Sequence, residues 1–308
     1  MTEIVIHEVG LRDGLQMEQQ VVSTEQKLRW IQSLLESGVD IIQLGSFVHP
    51  LKVPQMADTD ELFKRVPASA EASGKRPVLS ALVLNDRGLD RGLAVDVEMF
   101  CMGVAASETH SRKNTGRSVV EATEQIICMA QRALGAGKRL QVSVQSAFGC
   151  GYEGPVPESR VMGIVRRFLD GGIRAISLAD TAGHAVPDRV EALFGAILDA
   201  GDDLECACHF HDTYGLALAN TYAALKAGVK YFEASVAGLG GCPFTARAGG
   251  NLCTEDLVHY LQQTGARRDI DLDRLIALAK DFGAFFGREM EGSVHKTGPM
   301  GPAEATRQ

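Results

Sequence analysis

Two short stretches of this 308-residue chain bring together residue types that do chemistry. Near the start, the apolar run Ile4-Val5-Ile6 leads into EVGLRDGLQ, residues 8–16, where Arg12 and Asp13 are adjacent and flanked by Gly10 and Gly14. Far along the chain, His209 and His211 are separated by one residue in HFHDTYG. If this segment is a strand, both imidazoles project from one face, because side chains alternate along a strand. Two such imidazoles are half of a metal site, and Asp13 can add a carboxylate. Asp, two His and an oxygen from an amide or water suit a divalent ion with open positions, Mg²⁺ or Mn²⁺ before Zn²⁺. A hydrogen-bonded histidine pair in a polar pocket is the plainer alternative. Cys206 and Cys208 have the opposite parity and should face outward, which argues against a Cys-x-Cys-His cluster. Arg12 either pairs with Asp13 or Asp180, or binds an oxyanion beyond the reach of the metal.

A third stretch, GLGGCPFTARAGGN at 238–251, holds Cys242 among five glycines and ends on Asn251. A glycine-dense loop of this length serves as a lid or as a close approach to ligand. Cys242 is then an acid/base candidate, with a buried thiol as the alternative. Asn251 could give an amide oxygen to the metal. Cys101, Cys128 and Cys253 fall in expected strands or helices and read as packing, while Cys150 stays open. His7 reads as structural. His49, His110 and His184 lie near the expected rim, with His110 the best placed. The basic residues of SRKNTGR, 111–117, read as a solvated face that could also meet substrate phosphates.

The elements that would position these groups are legible as a repeated phrase: helical tail, glycine, β-rich run. It occurs in LLESGVDIIQLG, ALGAGKRLQVSV, FLDGGIRAISLAD, ILDAGDDLECACHFH and ALKAGVKYFEASVAG. Glycine just past a helix is a common left-handed cap, and the run after it reads as a strand buried on both faces. The expected strands are 3–9, 40–47, 78–84, 96–103, 139–147, 175–180, 204–211 and 231–237. Ser23–Gln26 and Ser118–Glu121 match the capping-box pattern at helix starts. Eight βα units predict a (β/α)₈ TIM barrel, with one or two extra C-terminal helices. The candidate residues then gather at the C-terminal ends of the strands, where such barrels do their chemistry. No G-x-G-x-x-G follows the first strand, against a dinucleotide-binding sheet. One domain is expected over 1–290, with a flexible tail over 291–308.

Bulk properties narrow the partners. Hydrophobic residues make up 45% and charged residues 23% of the chain, as in ordinary globular proteins. A net charge of −8 disfavours nucleic acid and anionic membranes. No apolar run is long enough to span a bilayer, and no signal peptide is apparent. Seven scattered cysteines fit reduced thiols in a cytoplasm better than a disulfide framework.

EVGLRDGLQ, SFVHPLKVPQMADTDEL, HFHDTYGLALANT and VAGLGGCPF…GNLCTEDLV resemble the 3-hydroxy-3-methylglutaryl-CoA (HMG-CoA) lyases, metal-dependent barrel enzymes of Claisen type. The resemblance runs from about residue 3 to 285. It implies metal ligation by Asp13, His209, His211 and Asn251. It implies that Arg12 steadies an enolate, that Cys242 is the catalytic loop cysteine and that Asp180 is an active-site carboxylate. His209 is also a candidate base, and Gln16, Gln43, Ser46 and Tyr152 fall at substrate positions. The implied reaction is retro-Claisen cleavage of an acyl-CoA to acetyl-CoA and acetoacetate, as in leucine degradation. A homodimer is compatible with it. Gln43 stands where these lyases carry glutamate, and Arg247 adds an unexpected charge. A related substrate such as citramalyl-CoA therefore stays open, as does a Claisen-type acyl transferase on a 2-oxo acid. A non-catalytic binding protein is the remaining alternative.

Overall fold

A computed structural model describes residues 4–66, 76–201, 203–241 and 249–301. The chain alternates strand and helix from the start. The first half runs β1 (Val5–Glu8), α1 (Thr24–Ser37), β2 (Ile41–Ser46), α2 (Thr59–Arg65), β3 (Val78–Leu82), α3 (Asp86–Ala94), β4 (Met99–Ala105), α4 (Glu108–Thr115) and α5 (Val119–Gly135). The second half runs β5 (Arg139–Gln145), α6 (Glu158–Asp170), β6 (Ala175–Asp180), α7 (Pro187–Leu198), β7 (Glu205–Phe210), α8 (Ala217–Ala227), β8 (Tyr231–Ala234), α9 (Thr254–Gln263), α10 (Leu272–Phe286) and α11 (Val294–Thr297). The eight strands pair in parallel and in sequence order, and β8 closes on β1. This is the TIM barrel the repeated phrase predicts, with strand ends moved by a few residues.

Alternation along the strands sorts the interior into two layers. Ile42, Leu44, Phe100, Val142, Val144, Ile176, Leu178, Cys206, Cys208 and Phe232 belong to the apolar layer between barrel and helices. The outward parity expected for Cys206 and Cys208 therefore holds. The intervening positions point into the lumen and are largely polar: His7, Gln43, Ser80, Gln141, Ser177, His209 and Glu233 are all buried. A polar lumen costs stability unless its groups bond one another, and here they do.

Helix ends follow local chemistry. Ser118 and Glu121 form the full capping box, whereas Ser23 accepts from the Gln26 amide without a return bond. Gly38 and Gly228 adopt the left-handed cap conformation, at φ +87° and +101°. Helix α10 lies across α1, where the fully buried Trp30 meets Phe282 and Phe285 at centroid distances of 4.4 and 5.1 Å. Its indole N–H donates to Asp281 at 2.6 Å.

The expected flexible tail does not begin at residue 291. Val294 and His295 are buried, and α11 seats against α9. The Asp256 carboxylate accepts the Ser293 and Val294 amides, and the Glu255 carboxylate bonds His295 Nδ1 at 2.9 Å. The Gly- and Pro-rich composition hid these anchors, which lie some 40 residues upstream.

Trp30→Ala should lower the free energy of unfolding by about 3–5 kcal/mol, read as a lower urea midpoint. Ser118→Ala, which removes only an exposed capping box, should cost about 1 kcal/mol by the same measurement.

Candidate active site

The turn after β1 answers why Arg12 and Asp13 sit between glycines. Residues Gly10–Gly14 form one π-helical turn, in which the Arg12, Asp13 and Gly14 amides all point to the Val9 carbonyl. Such wide turns recur at functional sites. Gly10 is required sterically: a Cβ there would lie 2.6 Å from Glu8 Oε1 and 2.9 Å from Ser235 Oγ. Glu8 Oε1 accepts the Gly10 and Val236 amides, and its other oxygen accepts from Thr254 Oγ1. This buried carboxylate, raised to about 7 by burial, ties the β1 turn to the β8 turn and to α9.

At the C-terminal mouth of the barrel is a cavity of about 460 Å³. Asp13, His209 and His211 converge there, with one ligand atom from each lying within 4.8 Å of the others. His209 Nε2 is 3.1 Å from His211 Nε2 and 3.8 Å from Asp13 Oδ2. Asn251 Nδ2 donates to Asp13 Oδ2 at 2.9 Å and to the Leu239 carbonyl at 3.0 Å. Its Oδ1 is buried without a partner among the described residues. Gly240, at φ +129°, lets the loop backbone lie directly against the Asn251 amide, where a Cβ would collide.

The hydrogen bonds behind the two rings decide what faces the cavity. His209 Nδ1 meets Glu233 Oε2 at 2.9 Å, and His211 Nδ1 meets the Gly249 carbonyl at 3.3 Å. Both partners are acceptors, so each ring keeps its proton on Nδ1. The two Nε2 lone pairs are left facing each other beside a carboxylate. That arrangement is repulsive until a cation or an extra proton lies between them, and neutral Nε2 atoms with Asp and Asn oxygens are a sound donor set for a divalent ion.

Charge follows the same geometry. Burial opposes ionisation of Asp13, but Arg12, His209 and His211 outweigh it and hold its pKa well below the usual carboxylate range. Burial and the neighbouring His209 lower His211 to about 4, which keeps the ring neutral. Burial also opposes a charge on His209, yet its hydrogen bond to Glu233 and the charges of Glu233 and Asp13 raise it. Glu233 falls to about 2, because His209 outweighs the cost of burying the carboxylate.

Arg12 is held at two points: Nε donates to Gln43 Oε1 and Nη1 donates to Asp13 Oδ1. It lines the cavity, and Nη2 has no hydrogen-bond partner among the described residues. Gln16 and Gln43 also line the cavity, and Gln16 Oε1 is a buried acceptor without a described partner. At the rim are His49, Lys52, His110 and Arg117.

Other expected site residues go elsewhere. Asp180 is fully buried, and its carboxylate accepts the His184 and Ala185 amides at 2.7 and 3.1 Å. It is on the opposite parity from the lumen residues Ser177 and Ala179, so it shapes the β6 turn and does not enter the cavity. Ser46 Oγ donates to the Leu82 carbonyl at 3.2 Å and does not line the cavity, while its backbone amide donates to Thr59 Oγ1. Tyr152 is 40% exposed, with the Lys113 ammonium 3.9 Å above its ring, outside the cavity. Cys150 is buried and bonds Ser107 Oγ. His184 does not line the cavity, and its ring sits near Tyr214. Cys242 and Arg247 lie outside the described residues.

Glu233 is the functional-site residue that the sequence reading passed over. Its signal was available: a carboxylate inside a strand otherwise buried on both faces, at the parity of the lumen and paired in register with His209.

The family model described as HMGL-like matches residues 3–281. A hydroxymethylglutaryl-CoA lyase of Bacillus subtilis is 37% identical over 278 residues, covering 90% of this chain and 91% of its own length. An (R)-citramalyl-CoA lyase of Chloroflexus aurantiacus is 36% identical over 307 residues, covering 98% and 97%. Among solved structures, an HMG-CoA lyase from Acinetobacter baumannii, in complex with coenzyme A and 3-methylmalate, superposes with a TM-score of 0.91. It is 33% identical and covers 98% of this chain and 97% of its own.

Replacing Asp180 tests its reassignment. Its carboxyl is raised by burial to about 6 from an ordinary 3.8. The folded chain therefore keeps a proton that the unfolded chain has released, and this contribution to stability is lost as pH rises through 6. Relative to wild type, Asp180→Asn should gain up to about 3 kcal/mol between about pH 4 and pH 7, with divalent-cation binding retained. Loss of cation binding in a folded variant would return Asp180 to the site.

The closed eight-stranded barrel, the Arg-Asp turn and the His-x-His pair occupy the same chain positions that the family match spans, and the chain belongs to the HMGL-like family, as an enzyme of its lyase branch.

Proposed function

We propose that the protein is a divalent-metal-dependent carbon–carbon lyase. On this reading it cleaves a 3-hydroxy-3-carboxyalkyl acyl-CoA by a retro-Claisen reaction. HMG-CoA is the leading substrate, giving acetyl-CoA and acetoacetate. The observation that carries the reading is the facing pair of His209 and His211 Nε2 atoms beside Asp13 on the cavity floor. Asp13, His209, His211 and Asn251 would hold the ion, Mg²⁺ or Mn²⁺ before Zn²⁺; when bound, it acidifies a hydroxyl and polarises a carbonyl.

The chain's own residues supply the rest. Arg12, pinned by Gln43 and Asp13, offers Nη2 to the thioester oxygen that becomes anionic as the bond breaks. A donor aimed in this way is worth roughly 3 kcal/mol in the transition state. Gln16 lines the cavity and we assign it to substrate binding; its side-chain oxygen is buried and has no hydrogen-bond partner among the described residues. His209 Nε2 has one lone pair, so it could hold the hydroxyl proton only while released from the ion, with Glu233 behind the ring; otherwise the proton would pass to water. Cys242 is assigned to protonate the enolate carbon. The rim cations Lys52 and Arg117 are exposed on a chain of net charge −8, and we assign them to the CoA phosphates. Free thiols at the described cysteines suit a reducing cytoplasm, and cleavage of HMG-CoA would place the enzyme in leucine breakdown.

Citramalyl-CoA is the second substrate under this reading. The near full-length similarity to a citramalyl-CoA lyase favours it. So does the neutral amide of Gln43, which leaves Arg12 with Asp13 as its one carboxylate partner among the described residues. Assaying both esters side by side, with Mn²⁺ supplied, decides between them by release of acetoacetate or pyruvate. Acetyl-CoA release from neither ester sinks the lyase reading, and net condensation of acetyl-CoA with a 2-oxo acid would favour the acyl-transferase alternative.

Arg12→Ala should retain Mn²⁺ binding while kcat falls by about 100-fold or more. His211→Ala should abolish Mn²⁺ binding measured by calorimetry. Lys52→Ala and Arg117→Ala should each raise KM for the CoA ester several-fold, by roughly 1 kcal/mol of binding, and leave the shorter pantetheine ester unaffected.

A further inference from the structure

Beneath the proposed metal site, the lumen holds a second polar network, of which Gln141 and Ser177 take no part in the proposed chemistry. Glu233 on β8 is its hub. Its Oε1 accepts from Gln141 Nε2 on β5 at 2.5 Å and from Ser177 Oγ on β6 at 2.9 Å. Its Oε2 has a single partner among the described residues, His209 Nδ1 on β7, at 2.9 Å. All four side chains are buried. Two donors on one oxygen fix the carboxylate's rotation, so its other oxygen meets the imidazole at a defined angle. The carboxylate can only accept.

We infer that Glu233 is a positioning residue. Held by Gln141 and Ser177, it fixes His209 with the proton on Nδ1 and turns the Nε2 lone pair toward Asp13 and His211. The inference rests on the proposed metal site for its purpose, but the proton position is a property of the metal-free protein. An imidazole alone has two neutral tautomers. One of them would place an N–H where a cation must sit, and the hydrogen bond to Glu233 removes that form. Carboxylate partners of this type are commonly worth 10- to 100-fold in metal affinity.

The test uses the full chain. In wild-type protein without metal, at alkaline pH, ¹⁵N shifts of the His209 ring should report a proton on Nδ1. In Glu233→Gln, the amide must turn one N–H toward either its former donors or His209. The ring should then move to the Nε2–H form or a mixture, and Mn²⁺ affinity by calorimetry should fall about 10- to 100-fold. Thermal unfolding of the variant is the control for folding. If Glu233→Gln does not fold, Ser177→Ala removes one donor to Glu233 without touching His209, and a several-fold loss of Mn²⁺ affinity is expected.

A wild-type proton on Nε2 overturns the inference. So does a folded Glu233→Gln with unchanged affinity, a loss of affinity with the tautomer unchanged, or, where that variant does not fold, an unaltered Ser177→Ala. A wild type that binds no Mn²⁺ overturns the metal reading instead, and the ring spectra still decide whether Glu233 sets the tautomer.

Discussion

Two imidazole nitrogens face each other at 3.1 Å with acceptors behind both rings, and the cavity floor is built around that contact. A pair of lone pairs so close is unfavourable by itself, and a neighbouring carboxylate makes it more so. It persists because each ring is anchored from the rear, His209 by Glu233 and His211 by the backbone of the β8 loop. What the fold stores here is a demand for positive charge. A proton can meet it in part, consistent with the raised His209, and a divalent ion meets it better because it also engages Asp13.

The barrel makes this demand sustainable. Parallel strands buried on both faces leave their outward side chains to the helices and their inward side chains to one another. In most barrels the inward layers are apolar and support the core. Here they are polar from His7 through Gln141 and Ser177 to Glu233, and their mutual bonds offset the cost of burial. Stability is drawn instead from the outer layer and from the α1–α10 aromatic contact, which lies away from the chemistry.

Much of this was legible in the sequence because it rests on short-range rules. The helix–glycine–strand phrase gave the barrel, and alternation put His209 and His211 together while sending Cys206 and Cys208 outward. Asp13 joined them because a turn after β1 must end at the same rim. Other features depend on geometry that no periodicity encodes. Asp180 has the right position along its strand but the wrong parity, and its carboxylate serves two backbone amides instead. Ser46 is in register with the cavity-lining Leu82 but turns its hydroxyl to the Leu82 carbonyl, and Tyr152 lies beyond the rim. The segment from 291 looked mobile by composition, yet Glu255 and Asp256 supply its anchors from far upstream. Glu233 was missed because a single acid in a β-rich run carries no motif, only an improbable placement.

Charge around Arg12 then bears on which anion the cavity accepts. Its guanidinium bonds a neutral amide on one arm and a carboxylate on another, and that carboxylate is also the one directed at the proposed cation. A dication with Arg12 brings three positive charges against the two negative charges of Asp13 and Glu233. A glutamate at position 43 would cancel the remainder; glutamine preserves it. On the proposed reading, that surplus sits where the substrate's own carboxylate must bind, so the amide at 43 favours an anionic acyl group held close to the reacting carbon. The exposed cations Lys52 and Arg117 extend the same sign out to the rim, against the negative charge of the chain as a whole. On the proposed reading, selectivity for a ligand that is anionic at its acyl end and again at its phosphates follows from these two separate positive regions and not from any single residue.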